Sequence, residues 1–175
     1  MTHRTPSAPS RRSILMAAST FVLAACSRRS GAVAAFADTP GQAYAQDDWR
    51  KLSEEDWKAR LSPKAYQVLR REATERAFTS PLEREKRTGV YHCAGCDLAL
   101  FDSRTKFDSG TGWPSFYDVL PGAVATKPDN KLWMTRTEYH CARCEGHQGH
   151  VFEDGPAPTG LRYCNNGVAL VFRPA

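Results

Sequence analysis

The chain has 175 residues, of which 41% are hydrophobic and 25% are charged, as expected for one globular domain with a core of its own. Its formal net charge of +5 is unevenly distributed, because residues 1–45 carry five of the 24 basic residues and one of the 19 acidic residues. The rest of the chain therefore has 19 basic and 18 acidic residues. A nearly neutral domain lacks the excess of positive charge that binds a phosphate backbone, so the sequence argues against a nucleic-acid partner.

The basic N-terminal segment has the pattern of an export signal. The pair Arg11-Arg12 leads into an apolar run over residues 14–25, which is shorter than the roughly 20 apolar residues of a membrane-spanning helix. The signal has two possible ends, a lipobox at Cys26 or a small-x-small cleavage site at residues 35–37. A buried N-terminal helix is the alternative. We expect a signal peptide over residues 1–37 and a periplasmic or membrane-anchored protein that meets the membrane only if Cys26 is lipidated.

The chain after this leader divides into a flexible linker over residues 38–47 and a domain over residues 48–175. Residues 48–78 are predicted to be helical, with Ser53 and Ser62 as N-caps, because acids follow the first serine and a proline follows the second. From Gly89 onward, short apolar segments alternate with turn residues, which predicts an antiparallel β-rich domain. The expected strands lie at residues 90–91, 98–101, 131–134, 151–152 and 168–172.

Two Cys-x-x-Cys knuckles with the same lead-in, Tyr-His-Cys-Ala, begin at Tyr91 and Tyr139. We interpret them as two similar hairpins that face each other. Four thiolates satisfy a tetrahedral zinc ion with no open position, the pattern of a structural site. The predicted ligands of one zinc ion are Cys93, Cys96, Cys141 and Cys144. Two disulfides or redox Cys-x-x-Cys motifs are the alternative for an exported chain, and His92 and His140 are alternative ligands.

The remaining cysteine of the domain, Cys164, is the candidate nucleophile. In a strand, Arg162, Cys164 and Asn166 share one face, and a cation beside a thiol favours the nucleophilic thiolate. His147 and His150 lie upstream and offer imidazoles suited to proton transfer near neutral pH. A buried and inert cysteine is the alternative for Cys164, and a second metal site or plain surface exposure is the alternative for the histidines.

Three motifs carry a family resemblance: Gly-Thr-Gly-Trp-Pro-Ser-Phe at residues 110–116, His-x-Gly-His-Val-Phe at 147–152, and Arg-Tyr-Cys-x-Asn at 162–166. Together with the knuckles, they resemble the B-type methionine sulfoxide reductases over residues 48–172. The resemblance implies a mainly β (α+β) fold, in which twisted antiparallel sheets flanked by short N-terminal helices are stapled by zinc. It also implies an oxidoreductase that repairs oxidised proteins by reducing methionine-R-sulfoxide.

The same resemblance implies a role for each residue of the site. Cys164 attacks the sulfoxide sulfur and is left as a sulfenic acid, while His147 or His150 protonates the oxygen. Asn166 and Arg162 support the site, Trp113 forms an aromatic wall for the methyl group of the substrate, and Phe152 contributes to substrate binding.

One position departs from many members of this family, which carry a recycling cysteine where this chain has Thr111. With the knuckle cysteines committed to zinc and Cys26 in the leader, we expect an external thioredoxin-like dithiol to reduce the sulfenic acid directly. The alternatives to a reductase of methionine sulfoxide are a zinc-ribbon binding module without catalysis and a thiol–disulfide oxidoreductase that uses Cys93 and Cys96.

Overall fold

The computed structural model describes Met1, residues 44–131 and residues 135–175. The predicted signal peptide with Cys26 and most of the predicted linker therefore lie outside the described residues, as does most of the strand expected at residues 131–134. The guanidinium of Arg143 lies over the ring of Tyr44, with Cζ 5.4 Å from the ring centre. Asp47 then caps a 3-10 turn over Asp48–Lys51.

Two short α-helices open the domain, α1 (Glu54–Arg60) and α2 (Pro63–Arg71). The predicted caps are confirmed, because Ser53 and Ser62 each accept a hydrogen bond from a backbone N–H of the first turn. Helix α2 buries its apolar face against the domain, with Val68 and Leu69 3% and 2% exposed. No helix in the described part of the chain is long and apolar enough to cross a membrane.

The helical region ends earlier than the sequence predicts. Glu72 adopts the left-handed conformation with a φ of 55°, and its N–H closes the last turn of α2. Residues 73–80 then run without a helix over the domain as a strap, in which the main-chain N–H of Glu75 donates to the side chain of Asn166. The prediction of a helix up to residue 78 was therefore wrong, since contacts with the distant strand segment replace helical hydrogen bonds here.

Among the residues that the structure describes, nine strands form two antiparallel sheets. Their bounds are β1 (Gly89–Cys93), β2 (Ala99–Asp102), β3 (Lys106–Phe107), β4 (Ser115–Phe116), β5 (Val124–Asp129), β6 (Arg136–Cys141), β7 (His147–Phe152), β8 (Arg162–Asn165) and β9 (Leu170–Pro174). The smaller sheet has the order β2-β1-β9, and the larger has the order β3-β4-β8-β7-β6-β5. The mainly β fold with short N-terminal helices is thereby confirmed.

Aromatic side chains from both sheets form the core between them. Phe101 of the smaller sheet stacks on Phe116 of the larger sheet, with ring centroids 4.1 Å apart. Tyr91 meets the same Phe116 edge to face at 4.9 Å, and Phe101 meets Tyr139 at 6.1 Å. All four rings are fully buried. Offset and edge-to-face aromatic pairs add to the apolar area that they bury, and this packing fixes the central strands that carry the site.

Candidate active site with a cysteine tetrad

The two knuckles have matching backbones, as the repeated sequence predicts. Each turn is closed by a hydrogen bond from the acid that follows it, since the N–H of Asp97 donates to the carbonyl of Cys93 and that of Glu145 to the carbonyl of Cys141, both at 2.9 Å. Both acids adopt left-handed conformations, with φ of 63° and 59°. Such turns direct two thiols to one side, and the two hairpins face each other across the sheets.

The four thiols form a tetrad that fits a zinc ion. Their Sγ atoms all lie within 4.8 Å of one another and all four residues are buried. Sulfurs at the corners of a tetrahedron, about 2.3 Å from a central zinc ion, lie about 3.8 Å apart. Sulfurs of different knuckles are in contact, at 3.6 Å from Cys93 to Cys144 and 3.5 Å from Cys96 to Cys141. This arrangement favours one shared ion over a redox pair within either knuckle.

Positive and polar groups surround the tetrad. Arg50, Arg70 and Arg143 each donate to a knuckle carbonyl, at 2.6–3.2 Å. The side-chain amide of Gln148 donates to the Cys93 sulfur at 3.4 Å. Four thiolates around a divalent cation carry a net charge of −2, so these donors stabilise the charged form of the site.

A cavity of about 120 Å³ opens beside Cys164. Cys164 lies on β8 between β4 and β7, where it pairs with Ser115 on one side and with His150 on the other. The strands approach closely because Gly149 stands on β7, where a Cβ atom would come within 1.9 Å of the Cys164 carbonyl oxygen. The cavity is lined by Thr74, Trp113, Arg136, Gly149, His150, Phe152, Cys164, Asn165 and Asn166.

Arg162 and Phe152 flank the thiol as a packed pair. The guanidinium of Arg162 lies 4.3 Å from the ring centre of Phe152, and two hydrogen bonds of 2.8 Å hold it to Asp154. Its charge favours the Cys164 thiolate, as the sequence analysis expects. Burial acts in the opposite direction and more strongly, so that the pKa of the Cys164 thiol is raised. At neutral pH the free protein therefore holds Cys164 as a thiol.

His150 is held by a carboxylate that the sequence analysis did not identify. Its Nε2 lies 2.7 Å from Asp129 Oδ2, and Arg136 donates to the same oxygen at 2.7 Å. Hydrogen bonds from His150, from the Lys131 N–H and from Arg136 hold the pKa of Asp129 well below its usual range. An ionised Asp129 requires the proton on Nε2 and leaves Nδ1 as the other proton-exchanging atom of the ring. Burial lowers the pKa of His150, and the bond to Asp129 offsets part of this effect.

His147 occupies a different position from its partner in the motif. It is 2% exposed, does not line the cavity of Cys164, and its Nδ1 lies 3.2 Å from Glu138 Oε1. Neither ring nitrogen has a hydrogen bond of good geometry among the described residues. A bulge in the β6–β7 pairing keeps both histidines on one face of the sheet, with ring centroids 5.5 Å apart. The sequence analysis left the choice of acid open, and the geometry favours His150.

Asn166 and Trp113 both line the cavity and both depend on the strap. Asn166 accepts from the Glu75 N–H at 2.9 Å and donates to the Gln148 carbonyl at 3.0 Å, so its amide is committed to main-chain partners. The indole N–H of Trp113 donates to the Glu75 carbonyl at 3.0 Å. The strap therefore orients both Trp113 and Asn166. The alternation of side chains along β8 predicts only the face on which Asn166 lies and gives no sign of this contact.

Comparisons with known proteins identify the family of the chain. The model of the SelR domain family matches residues 61–174. "Peptide methionine sulfoxide reductase MsrB" of Pseudomonas putida strain W619 is 57% identical over 121 residues, 69% of this chain and 91% of the relative. Proteins of the same name in Agrobacterium fabrum and Methanosarcina barkeri are 54% and 57% identical over 70% and 69% of this chain, and over 91% and 86% of their own lengths. The chain therefore belongs to the SelR domain family, the B-type methionine sulfoxide reductases.

Proposed function

We propose that this chain reduces methionine-R-sulfoxide in oxidised proteins to methionine, with Cys164 as the nucleophile. The observation that carries the proposal is the cavity in which the thiol, His150 and the Trp113 ring meet, in a member of this family. No observation favours a zinc-ribbon binding module without catalysis. The test is turnover of a methionine-R-sulfoxide peptide with a dithiol, by the full chain and by its Cys164→Ser variant. Absence of product from the unmodified chain would contradict the proposal.

The cavity offers complementary surfaces to the two substituents that distinguish a sulfoxide. Trp113 and Phe152 supply apolar walls against which a methyl group packs, and His150 supplies a polar group for the oxygen. With the oxygen held at His150 and the methyl group held at the aromatic walls, only one epimer presents its sulfur to Cys164 with the peptide chain directed outwards. Fixed polar and apolar subsites therefore select one stereoisomer.

The reaction balances without an added oxidant or reductant in its first half. The Cys164 sulfur attacks the sulfoxide sulfur and forms a transient bond to it. The oxygen then moves to the Cys164 sulfur as the S–O bond and the new S–S bond both break, which releases methionine and leaves Cys164 as a sulfenic acid. Methionine sulfur gains two electrons and Cys164 sulfur loses two. The thiol proton is carried to the oxygen, and we assign this transfer to His150. Its lowered pKa keeps the imidazole neutral, so that it can accept a proton, and makes the imidazolium a strong acid once it is protonated.

Replacement of His150 by alanine is expected to lower the single-turnover rate by a factor on the order of 10². The reason is loss of the proton carrier beside Cys164, so added imidazole should restore part of the rate. The matched control is His147→Gln, which removes the neighbouring buried imidazole and should cost less than about tenfold in rate. Equal losses in both variants, at equal thermal stability, would contradict the assignment of His150.

The cysteine tetrad is proposed to hold one structural zinc ion. The support is the closed set of four buried sulfurs at separations that suit tetrahedral coordination. When bound, the ion ties the β1–β2 hairpin to the β6–β7 hairpin. The proposed reaction does not use it, since a site with four protein ligands leaves no position for substrate.

The sulfenic acid is proposed to be reduced by an external dithiol of the thioredoxin type. Thr111 occupies the loop position beside Cys164, and the other cysteines in the described part of the chain are the four of the tetrad. A dithiol can form a mixed disulfide with Cys164 and release it with its second thiol. Water is lost from the sulfenic acid in the first of these steps, and the reductant leaves as a disulfide.

A further inference from the structure

A chain of three hydroxyl groups leads from strand β4 to the catalytic thiol. Ser115, fully buried opposite Cys164 in the β4–β8 pairing, donates to the Trp113 carbonyl at 3.1 Å. Its Oγ lies 2.8 Å from the Oγ of Ser109, which lies 2.8 Å from the Oγ1 of Thr111. A hydrogen bond with the Thr111 hydroxyl acts to lower the pKa of Cys164, against the larger effect of burial, and Ser115 stands directly opposite Cys164 in the strand pairing. The chain therefore connects the thiol to a main-chain carbonyl through three side chains.

The number of protons in this chain depends on the state of Cys164. With a thiol, one consistent arrangement has each of the four groups donating to the next one toward the Trp113 carbonyl, because either oxygen can be the donor in both contacts of Ser109. Ionisation removes one proton, so one link must lose its hydrogen. The thiolate is the strongest acceptor, since charge-assisted hydrogen bonds are roughly twice as strong as neutral ones. The link from Ser115 to the Trp113 carbonyl, at 3.1 Å the longest of the serine contacts, is the least costly to lose.

We propose that Thr111 is a catalytic residue of this chain, whose hydroxyl donates a hydrogen bond to the Cys164 thiolate while Ser109 and Ser115 reverse their donor direction to support it. The inference rests on the proposed role of Cys164 as nucleophile. It assigns a positive function to the loop position that Thr111 occupies. A threonine there cannot form a disulfide, but it stabilises the charged sulfur in a site where burial opposes that charge.

The charged and titratable groups around Cys164 are the same whether or not Thr111 keeps its hydroxyl. The Arg162–Asp154 pair lies along β8, and the pair of His150 with Asp129 lies on the side of β7 and β5. Strand β6 contributes the buried phenol of Tyr139 and the guanidinium of Arg136, whereas the carboxylate of Glu75 in the strap accepts from the N–H groups of Gly167 and Val168 and does not line the cavity. A change at Thr111 alone can therefore be measured against an unchanged background.

The test is the pH dependence of Cys164 alkylation by iodoacetamide in the full chain, followed at that site by mass spectrometry. Thr111→Val keeps the shape and removes the donor, so the alkylation midpoint should move to higher pH and the rate at pH 8 should fall about tenfold, which corresponds to one pKa unit. Thr111→Ser restores the donor and should lie within about threefold of the unmodified chain. Thr126→Val, a substitution at a half-buried threonine of β5, is the matched control and should leave the midpoint unchanged.

The plateau rate at high pH separates access from ionisation, because every variant is a thiolate there. An unchanged midpoint in Thr111→Val, or equal shifts in Thr111→Val and Thr111→Ser, would overturn the proposal. The assay needs no sulfoxide, so its outcome is independent of the proposed reductase function. If Thr111 supports the thiolate and the chain is a reductase, the single-turnover rate of Thr111→Val falls at neutral pH and recovers at high pH. A purely structural defect would persist at every pH.

Discussion

Cys164→Ser is expected to lose reduction of methionine-R-sulfoxide by a factor on the order of 10³ or more, down to the level of a sample without protein. A neutral hydroxyl is a far weaker nucleophile than a thiol, and serine has no accessible sulfenic state to accept the oxygen. The measurement is methionine released from a sulfoxide peptide with excess dithiol.

The control for this variant is its structure. Serine removes little volume from a half-buried position, so zinc content, circular dichroism and thermal midpoint should match those of the unmodified chain. Substantial turnover by a correctly folded Cys164→Ser variant would place the nucleophile elsewhere. The other cysteines in the described part of the chain are the four of the tetrad, so zinc release would then have to accompany turnover.

Cys141→Ser is expected to yield a protein that binds zinc poorly and does not fold stably. Structural zinc in small domains contributes about 10–16 kcal/mol to folding at neutral pH, whereas whole domains are stable by about 5–15 kcal/mol. Loss of one ligand also leaves three buried thiols without their ion. The measurement is zinc per chain, with one expected for the unmodified protein, together with the thermal unfolding midpoint.

Cys164→Ser is the matched control for the tetrad, since it removes a thiol from the same domain without touching a ligand. It should keep one zinc ion per chain. A Cys141→Ser variant that is metal-free, stable and fully active would contradict the structural role of the tetrad.

The parts of the site that the sequence revealed are those with local signals. The repeated knuckles predicted both the facing hairpins and the tetrad, because Cys-x-x-Cys spacing determines the turn by itself. The serine N-caps were predicted for the same reason. The positions of Cys164 and Arg162 on one face also follow from period two, once β8 is recognised as a strand.

The parts that the sequence did not reveal depend on segments distant along the chain. Asp129 lies in a polar stretch that resembles a turn, and only the β5–β6–β7 pairing brings it to His150. The composition of residues 73–78 favours a helix, yet this segment is not helical, because Glu75 binds Asn166 and Gly167 instead. The bulge that places His147 and His150 on one face of the sheet is likewise a property of strand pairing, which a single motif does not encode.

Burial explains why the cation beside Cys164, which the sequence predicts to favour the thiolate, does not dominate the pKa of the thiol. Arg162 does act on Cys164, but the sequence gives no measure of how far water is excluded from the thiol. The same burial makes Thr111 informative, since a hydroxyl donor matters most where solvent cannot supply one. From the sequence, Thr111 is notable only because it replaces an expected recycling cysteine, and no role is predicted for its hydroxyl.

A single turnover without reductant tests the account most directly. The unmodified chain is mixed with one equivalent of peptide containing either the R or the S epimer of methionine sulfoxide, and dimedone is added as a trap. We predict about one methionine per chain from the R epimer, none from the S epimer, and a dimedone adduct on Cys164 with zinc retained. Consumption of the S epimer, or a disulfide between Cys164 and a knuckle cysteine with release of zinc, would contradict it.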